Sequence, residues 1–165
     1  MRRVIAVVGH GDLTAPTLAL LEAELRARLA VFATTGGAGL VRAGQGLPVA
    51  VGRAARAAGL ALVTALPAKA GLPALLREWN HRAAGELLML SQRVRLLDYD
   101  PSSHRSCAGA DESLIRSCSR VLAVWDGTPS SAHDATAELV TFARRQSIDV
   151  DVVWPAGADR MPSVG

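Results

Sequence analysis

Residues 121–136 constrain this chain more than any other stretch. Val121-Leu122-Ala123-Val124-Trp125 is an unbroken apolar run, and it stops at Asp126-Gly127-Thr128-Pro129-Ser130-Ser131-Ala132-His133-Asp134-Ala135-Thr136, a small, polar, turn-rich loop that opens a helix. A run apolar at every position is the pattern of a strand buried on both faces, as in parallel sheets covered by helices. In such a unit the loop lies beyond the carboxyl end of the strand. The first N–H groups of the following helix then point at any anion resting there.

The rest of the chain repeats the alternation. Arg3 to Val8 is a first strand, and Thr14 caps a helix whose Leu18, Leu21, Leu25 and Leu29 share one face. Gly36 to Gly39 turns the chain into a short second strand, Leu40 to Ala43. After Gly44-Gln45-Gly46, a helix runs from Leu47 to Ala58, with Pro48 in its first turn and Gly59 at its end. Leu60 to Leu66 is a third strand, Pro67 to Gly71 a loop, and Pro73 to about Gln92 a long helix carrying Trp79 and interrupted near Gly85. Val94 to Leu97 is a fourth strand. Asp100 to Gly109 is a loop before a helix capped by Asp111 and ending near Ser117. Val121 to Trp125 is the fifth strand, and Asp134 caps the next helix, which turns Ala135, Leu139 and Phe142 inward. Asp149 to Trp154 closes as a sixth.

Strand and helix in strict alternation imply βαβ units, and hence an α/β, doubly wound, mostly parallel sheet of about six strands with helices on both faces. At 165 residues the chain has the length of one domain. Half of it is hydrophobic and only 4% aromatic, so the core is built from Val, Leu and Ala. No apolar run approaches the ~18 residues that would cross a bilayer, so no membrane partner is expected, and a cytoplasmic protein is. The net charge of +3 is dispersed and interleaved with acids, a weak footprint for nucleic acid. Cys107 and Cys118 have no second pair, so reduced thiols are expected rather than a zinc site or disulfide framework. No metal and no cofactor is called for.

Ligands of open α/β sheets gather beyond the carboxyl ends of the strands, where the strand order reverses. Those ends supply Gly9, His10, Gly11 and Asp12; then Gly44, Gln45 and Gly46; then Pro67 and Lys69; and finally Asp126 to Thr136. Gly9-x-Gly11-x-x-Thr14 and Gly44-x-Gly46-x-x-Val49 each lack the third glycine of a dinucleotide fingerprint, and Arg42 stands where an acid would hold a ribose. Lys69, the only lysine, has no glycine ladder before it, which excludes a phosphate-loop NTPase. What remains is an anion held by backbone N–H groups at helix starts.

The first strand ending in Gly9-His10 and followed by Asp12-Leu13, with Val124-Trp125-Asp126-Gly127-Thr128-Pro129 before Asp134-Ala135-Thr136-Ala137-Glu138 and a helix to Arg144-Arg145, resembles the SLOG superfamily. These are Rossmann-like proteins related to the lonely-guy phosphoribohydrolases and the DprA-type nucleotide-binding domains. The resemblance implies that the single domain, over 1–155, is a Rossmann-like nucleotide-binding one and a homodimer; 156–165, Gly- and Pro-containing, is expected as a flexible tail. The resemblance also implies a nucleotide or phosphosugar ligand at the first and fifth strand loops. Two departures matter. Asp134-Ala135 replace the usual glycine pair, placing negative charge where a phosphate would rest, and Glu138 is displaced by one position from the catalytic carboxylate of the hydrolases. One position on a helix is a rotation of about 100°.

The candidate ligand and phosphate residues are therefore Gly9, His10, Gly44, Gln45, Gly46, Asp126, Gly127, Ser130, Ser131, Asp134 and Thr136, with Asp126 as a ribose-hydroxyl acceptor and Thr136 as a phosphate ligand. The expected function is binding of a nucleotide or nucleoside-phosphate-derived small molecule. The alternative is an N-glycosidase acting on nucleoside 5′-monophosphates, with catalytic roles for Glu138 and Asp126.

Overall fold

A computed structural model describes residues 3–73 and 78–162, without the side chains of 78–80. Its elements are β1 (Val4–Gly9), α1 (Ala15–Ala33), β2 (Ala38–Arg42), α2 (Leu47–Ala58), β3 (Ala61–Lys69), β4 (Leu72–Pro73), α3 (Glu78–Leu90), β5 (Arg93–Asp98), α4 (His104–Arg116), β6 (Arg120–Val124), α5 (Thr136–Arg145) and β7 (Asp149–Val153). Six strands run parallel in the order β5-β3-β2-β1-β6-β7, and β4 folds back antiparallel on the end of β3. The doubly wound α/β architecture expected from the sequence is the one found.

Alternation within the strands explains the two layers. Ile5 and Val7 of β1 and Leu122 and Val124 of β6 pack with Leu21, Leu25 and Leu29 of α1 and Val51 of α2. The residues between them, Val8, Val121 and Ala123, pack with Ile115 of α4 and Leu139, Val140 and Ala143 of α5. Each fully buried Leu or Ile in these layers contributes ~1.5–3 kcal/mol relative to exposure. The chain steps outward from β1 through β2 and β3 to β5, then returns to lay β6 against the other side of β1. The strand order thus reverses between β1 and β6, whose carboxyl ends pair at Gly9 and Val124.

Several local expectations are corrected. The third strand continues to Lys69, with Pro67 opposite Leu97 of β5, because Ala70 (φ 53°) and Gly71 (φ 78°) make a tight hairpin turn into Leu72–Pro73. Lys69 is therefore spent on a hairpin two strands away from β1. Pro73 lies in β4, not in a helix; residues 74–77 fall outside the described residues, and Gly85 sits within α3 without interrupting it. Helix α4 begins at His104 and is capped by Ser103, whose hydroxyl accepts the Ser106 N–H. Asp111 is consequently two turns inside the helix, and its carboxylate is free for another partner.

Candidate functional site

Gly9 brings the two key loops together. A Cβ there would stand 2.7 Å from both the Cβ and the carbonyl oxygen of Val124 and 2.8 Å from Leu47, so only glycine lets the end of β1 lie so close to β6. The His10 N–H then bonds the Val124 carbonyl (3.2 Å), and the imidazole is drawn inside, 1% exposed, with the Trp154 ring edge-on at 5.7 Å.

Both ring nitrogens of His10 are engaged. Nδ1 lies 2.7 Å from Asp134 Oδ2, while Nε2 meets the Asp126 N–H at 3.1 Å and the Asp126 Oδ1 also at 3.1 Å. Each nitrogen is thus occupied by the protein, Nδ1 by the Asp134 carboxylate and Nε2 by the amide and carboxylate of Asp126. Neither ring nitrogen is open to a substrate while these contacts hold. Burial works to raise the Asp126 carboxyl, but the Thr128 hydroxyl and amide on Oδ1 (2.6 and 3.0 Å), together with His10 and Arg160, hold it down to about 2. Burial opposes ionisation of Asp134 as well, yet the hydrogen bonds from His10 and from the Thr136 N–H keep it well below the usual carboxylate range.

Arg160 completes this cluster. Its Nε donates to Asp12 Oδ1 (2.9 Å), Nη2 to Asp134 Oδ2 (3.2 Å) and Nη1 to Thr128 Oγ1 (3.1 Å), with Asp126 Oδ2 at 3.5 Å. The guanidinium is placed by backbone contacts: Leu13 bridges Arg160, and the Met161 N–H bonds Asp12 O (2.6 Å). The Asp159 N–H bonds the Thr17 hydroxyl (2.7 Å). Residues 156–162 thus include a segment fastened to the site. Composition gave no sign of this, because one arginine in a Gly- and Pro-containing tail is not distinguishable from a solvated charge.

Beside the cluster runs a cleft made of two adjoining cavities. The smaller, about 220 Å³, lies under Gly9, Gly11, Gly44 and Gln45; the larger, about 820 Å³, opens between α4 and the loop leading into α5. Arg42 and Asp111 line both, joined by Nε to Oδ1 at 3.0 Å and Nη2 to Oδ2 at 3.4 Å. Burial pushes the Asp111 carboxyl up and Arg42 partly offsets it, while Asp111 keeps the guanidinium firmly cationic. At the mouth, the His104 and His133 rings meet at 4.9 Å. Helix α2 opens onto the smaller cavity with Gly46 at φ 79° and no side chain capping it.

The predicted residues divide accordingly. Gly9, His10, Gly44 and Gln45 line the smaller cavity, and Ser131, Asp134, Thr136 and Glu138 line the larger. Asp126, Gly127, Ser130 and Gly46 line neither. The start of α5 is already served by the chain itself: Asp134 Oδ1 takes the Thr136 N–H (3.0 Å) and Ser130 Oγ takes the Glu138 N–H (2.9 Å). Trp125 follows β6 and donates its indole N–H to Thr128 O (2.8 Å). The sequence reading passed over Arg42 as a missing acid, Asp111 as a helix cap, and Arg160 as tail. The signal for the first two was the charge itself: an arginine at a strand's carboxyl end needs an acidic partner wherever the fold half-buries it.

No family model matches the chain, and no curated protein matches it. Among solved structures it is similar to the molybdenum cofactor carrier protein of Chlamydomonas reinhardtii. One structure of that protein is 18% identical at a TM-score of 0.59, covering 92% of this chain and 76% of the carrier. Another is 17% identical at 0.58, covering 93% and 76%. At these identities the likeness is one of fold: a Rossmann-like α/β domain.

Proposed function

We propose that the chain is a binding module for a phosphate-bearing small molecule of the nucleotide class, held along the cleft with its anionic end at Arg42. The observation that carries this reading is the position of Arg42. It stands at the carboxyl end of β2 in the wall shared by both cavities, with at most part of its donor fork spent on Asp111. The uncapped start of α2 and the glycines of the first and second loops offer backbone N–H groups on the same side. The cluster around His10 does the opposite. Asp12, Asp126 and Asp134 outnumber Arg160, so a phosphate is repelled from the α5 start and favoured at Arg42.

Binding without turnover is the preferred reading because His10 has no unpaired nitrogen to serve as acid or base. Membership of the SLOG superfamily is part of the same proposal. The Chlamydomonas neighbour is by its name a carrier of a small cofactor, a use of this fold that accords with a binding role here. Among the described residues no helix is long and apolar enough to cross a membrane.

The experiment is a melting screen of the whole chain against mono- and dinucleotides at millimolar concentration. A ligand at a hundredfold excess over Kd stabilises by ~2.7 kcal/mol. The shift should vanish in Arg42→Gln and grow in Asp111→Asn, which frees the guanidinium. No shift with any member of the panel, or an equal shift in Arg42→Gln, refutes the proposal. Release of free base from a nucleoside monophosphate, lost in Glu138→Gln, would establish the glycosidase reading instead.

A further inference from the structure

We propose that His10, Asp12 and Asp134 form a binding site for one divalent transition-metal ion, and that Arg160 is the internal cation it displaces. The site borders the Arg42 cleft, whose walls include His10 and Asp134, but does not rest on what binds at Arg42.

The donor set comes first. One nitrogen of His10 and one carboxylate oxygen each from Asp12 and Asp134 all lie within 4.8 Å of one another. His10 Nδ1 and Asp134 Oδ2 are already at 2.7 Å. Ligands on opposite sides of an ion at bond lengths of ~2.1 Å stand ~4.2 Å apart, so a small movement of Asp12 closes the set. Asp12 is 41% exposed and its carboxylate is held by Arg160, so it has room to make that movement.

The charges point the same way. Three carboxylates, Asp12, Asp126 and Asp134, surround the buried His10 ring, and among the described residues a single guanidinium faces them. That guanidinium shows that a cation resides at this place, bridging Asp12 and Asp134 as an ion would. One guanidinium does not match three carboxylates; a divalent ion in its stead removes more of the imbalance. Arg160 keeps Thr128 and the outer oxygen of Asp126 as partners when it withdraws.

The far side of His10 supplies an independent argument. There Nε2 lies 3.1 Å from both the Asp126 N–H and the Asp126 Oδ1. With an ion on Nδ1, the ring proton is on Nε2 and donates to that carboxylate. This is the carboxylate–histidine–metal arrangement by which proteins orient a ligating imidazole. Asp126 is itself fixed by Thr128, so the outer partner is rigid. One imidazole and two carboxylates favour manganese, zinc or ferrous ions over magnesium or calcium, which select all-oxygen sites.

The probe is Mn2+, which thiols bind weakly, titrated into the full chain with free ion counted by electron paramagnetic resonance. One ion per chain is expected, with at least tenfold weaker binding in Asp12→Asn and at least tenfold tighter binding in Arg160→Met. Paramagnetic broadening should centre on the Gly11 and Thr136 amides. Melting curves confirm that Asp12→Asn is folded, as an exposed carboxylate substitution should be. Equal binding by wild type and Asp12→Asn, no gain in Arg160→Met, or broadening centred on His104 and His133 overturns the proposal.

Discussion

Adding one methyl group at Gly9 tests the account of how the two key loops are brought together. In Gly9→Ala the new Cβ would lie 2.7 Å from the Val124 Cβ and carbonyl oxygen and 2.8 Å from Leu47 Cδ2. Leu47 can rotate away, but Val124 is held in β6 between β1 and β7, so the end of β1 must move instead. Overpacking of this kind costs ~1–3 kcal/mol, and the upper figure applies because the obstructing atoms belong to the sheet. About 3 kcal/mol corresponds to a fall in Tm of ~6–12 °C for a domain of this size. Gly11→Ala is the control: a Cβ there meets nothing within 4 Å, and its φ lies outside the left-handed region. It should be neutral or stabilising by ~0.4–1 kcal/mol through the unfolded chain. Urea denaturation of both variants at constant m measures the difference. A Gly9→Ala protein within 0.5 kcal/mol of the wild type, or a Gly11→Ala protein equally destabilised, refutes the reasoning.

Three further outcomes are expected. Asp134 and Asp126 are ionised more easily in the folded chain than in the unfolded one, so their contribution is complete above the ordinary carboxylate range and is lost as pH falls through the folded values, towards about 2 for Asp126. Thermal melts from pH 6 to pH 2 should show stability falling below ~pH 5, less steeply in Asp134→Asn; Asp111, pushed up by burial, works in the opposite sense, and a flat profile would contradict the cluster. Asp111→Ala should cost ~2 kcal/mol by leaving the half-buried Arg42 unpaired, whereas Arg42→Met/Asp111→Leu should recover much of that loss in urea titrations. The homodimer implied by the resemblance is proposed here as well, and light scattering at micromolar concentration should return twice the chain mass.

The fold was legible because its signals are local. Leu21, Leu25 and Leu29 recur at helical spacing, Gly59 stops α2 in the left-handed conformation, and the apolar run of β6 has no polar face to misplace. Where these signals were ambiguous the boundaries slipped. Pro67 looked like a loop residue but is tolerated in β3, and the helix expected to start at Asp111 starts two turns earlier, behind Ser103. Strand order was half legible: alternation dictates parallel strands, and the reversal between β1 and β6 follows from where the chain crosses back.

The site was legible as a place and not as a chemistry, for a reason that generalises from His10. Its position after β1 marked it as facing the crevice, but whether it meets a ligand or the protein depends on Asp126 and Asp134, 116 and 124 residues away. Sequence spacing carries no information about that distance once the chain has passed through five intervening strands. The same holds for Arg42 with Asp111, and most of all for Arg160, which reaches Asp12 only because β7 runs beside β6 and delivers the following segment over the carboxyl end of β1. A charge at the end of a parallel strand is therefore informative in pairs. An arginine or histidine there predicts a partner carboxylate at another strand end, and the polarity of the cleft is set by how many such pairs leave a remainder. Here Arg42 and Asp111 balance as a pair that still leaves part of the guanidinium fork unused, and Arg160 facing three acids leaves the neighbouring cluster negative. On that difference in charge rest the two proposals, an anion at Arg42 and a cation at the Asp12 and Asp134 cluster, only a few residues along the same loops.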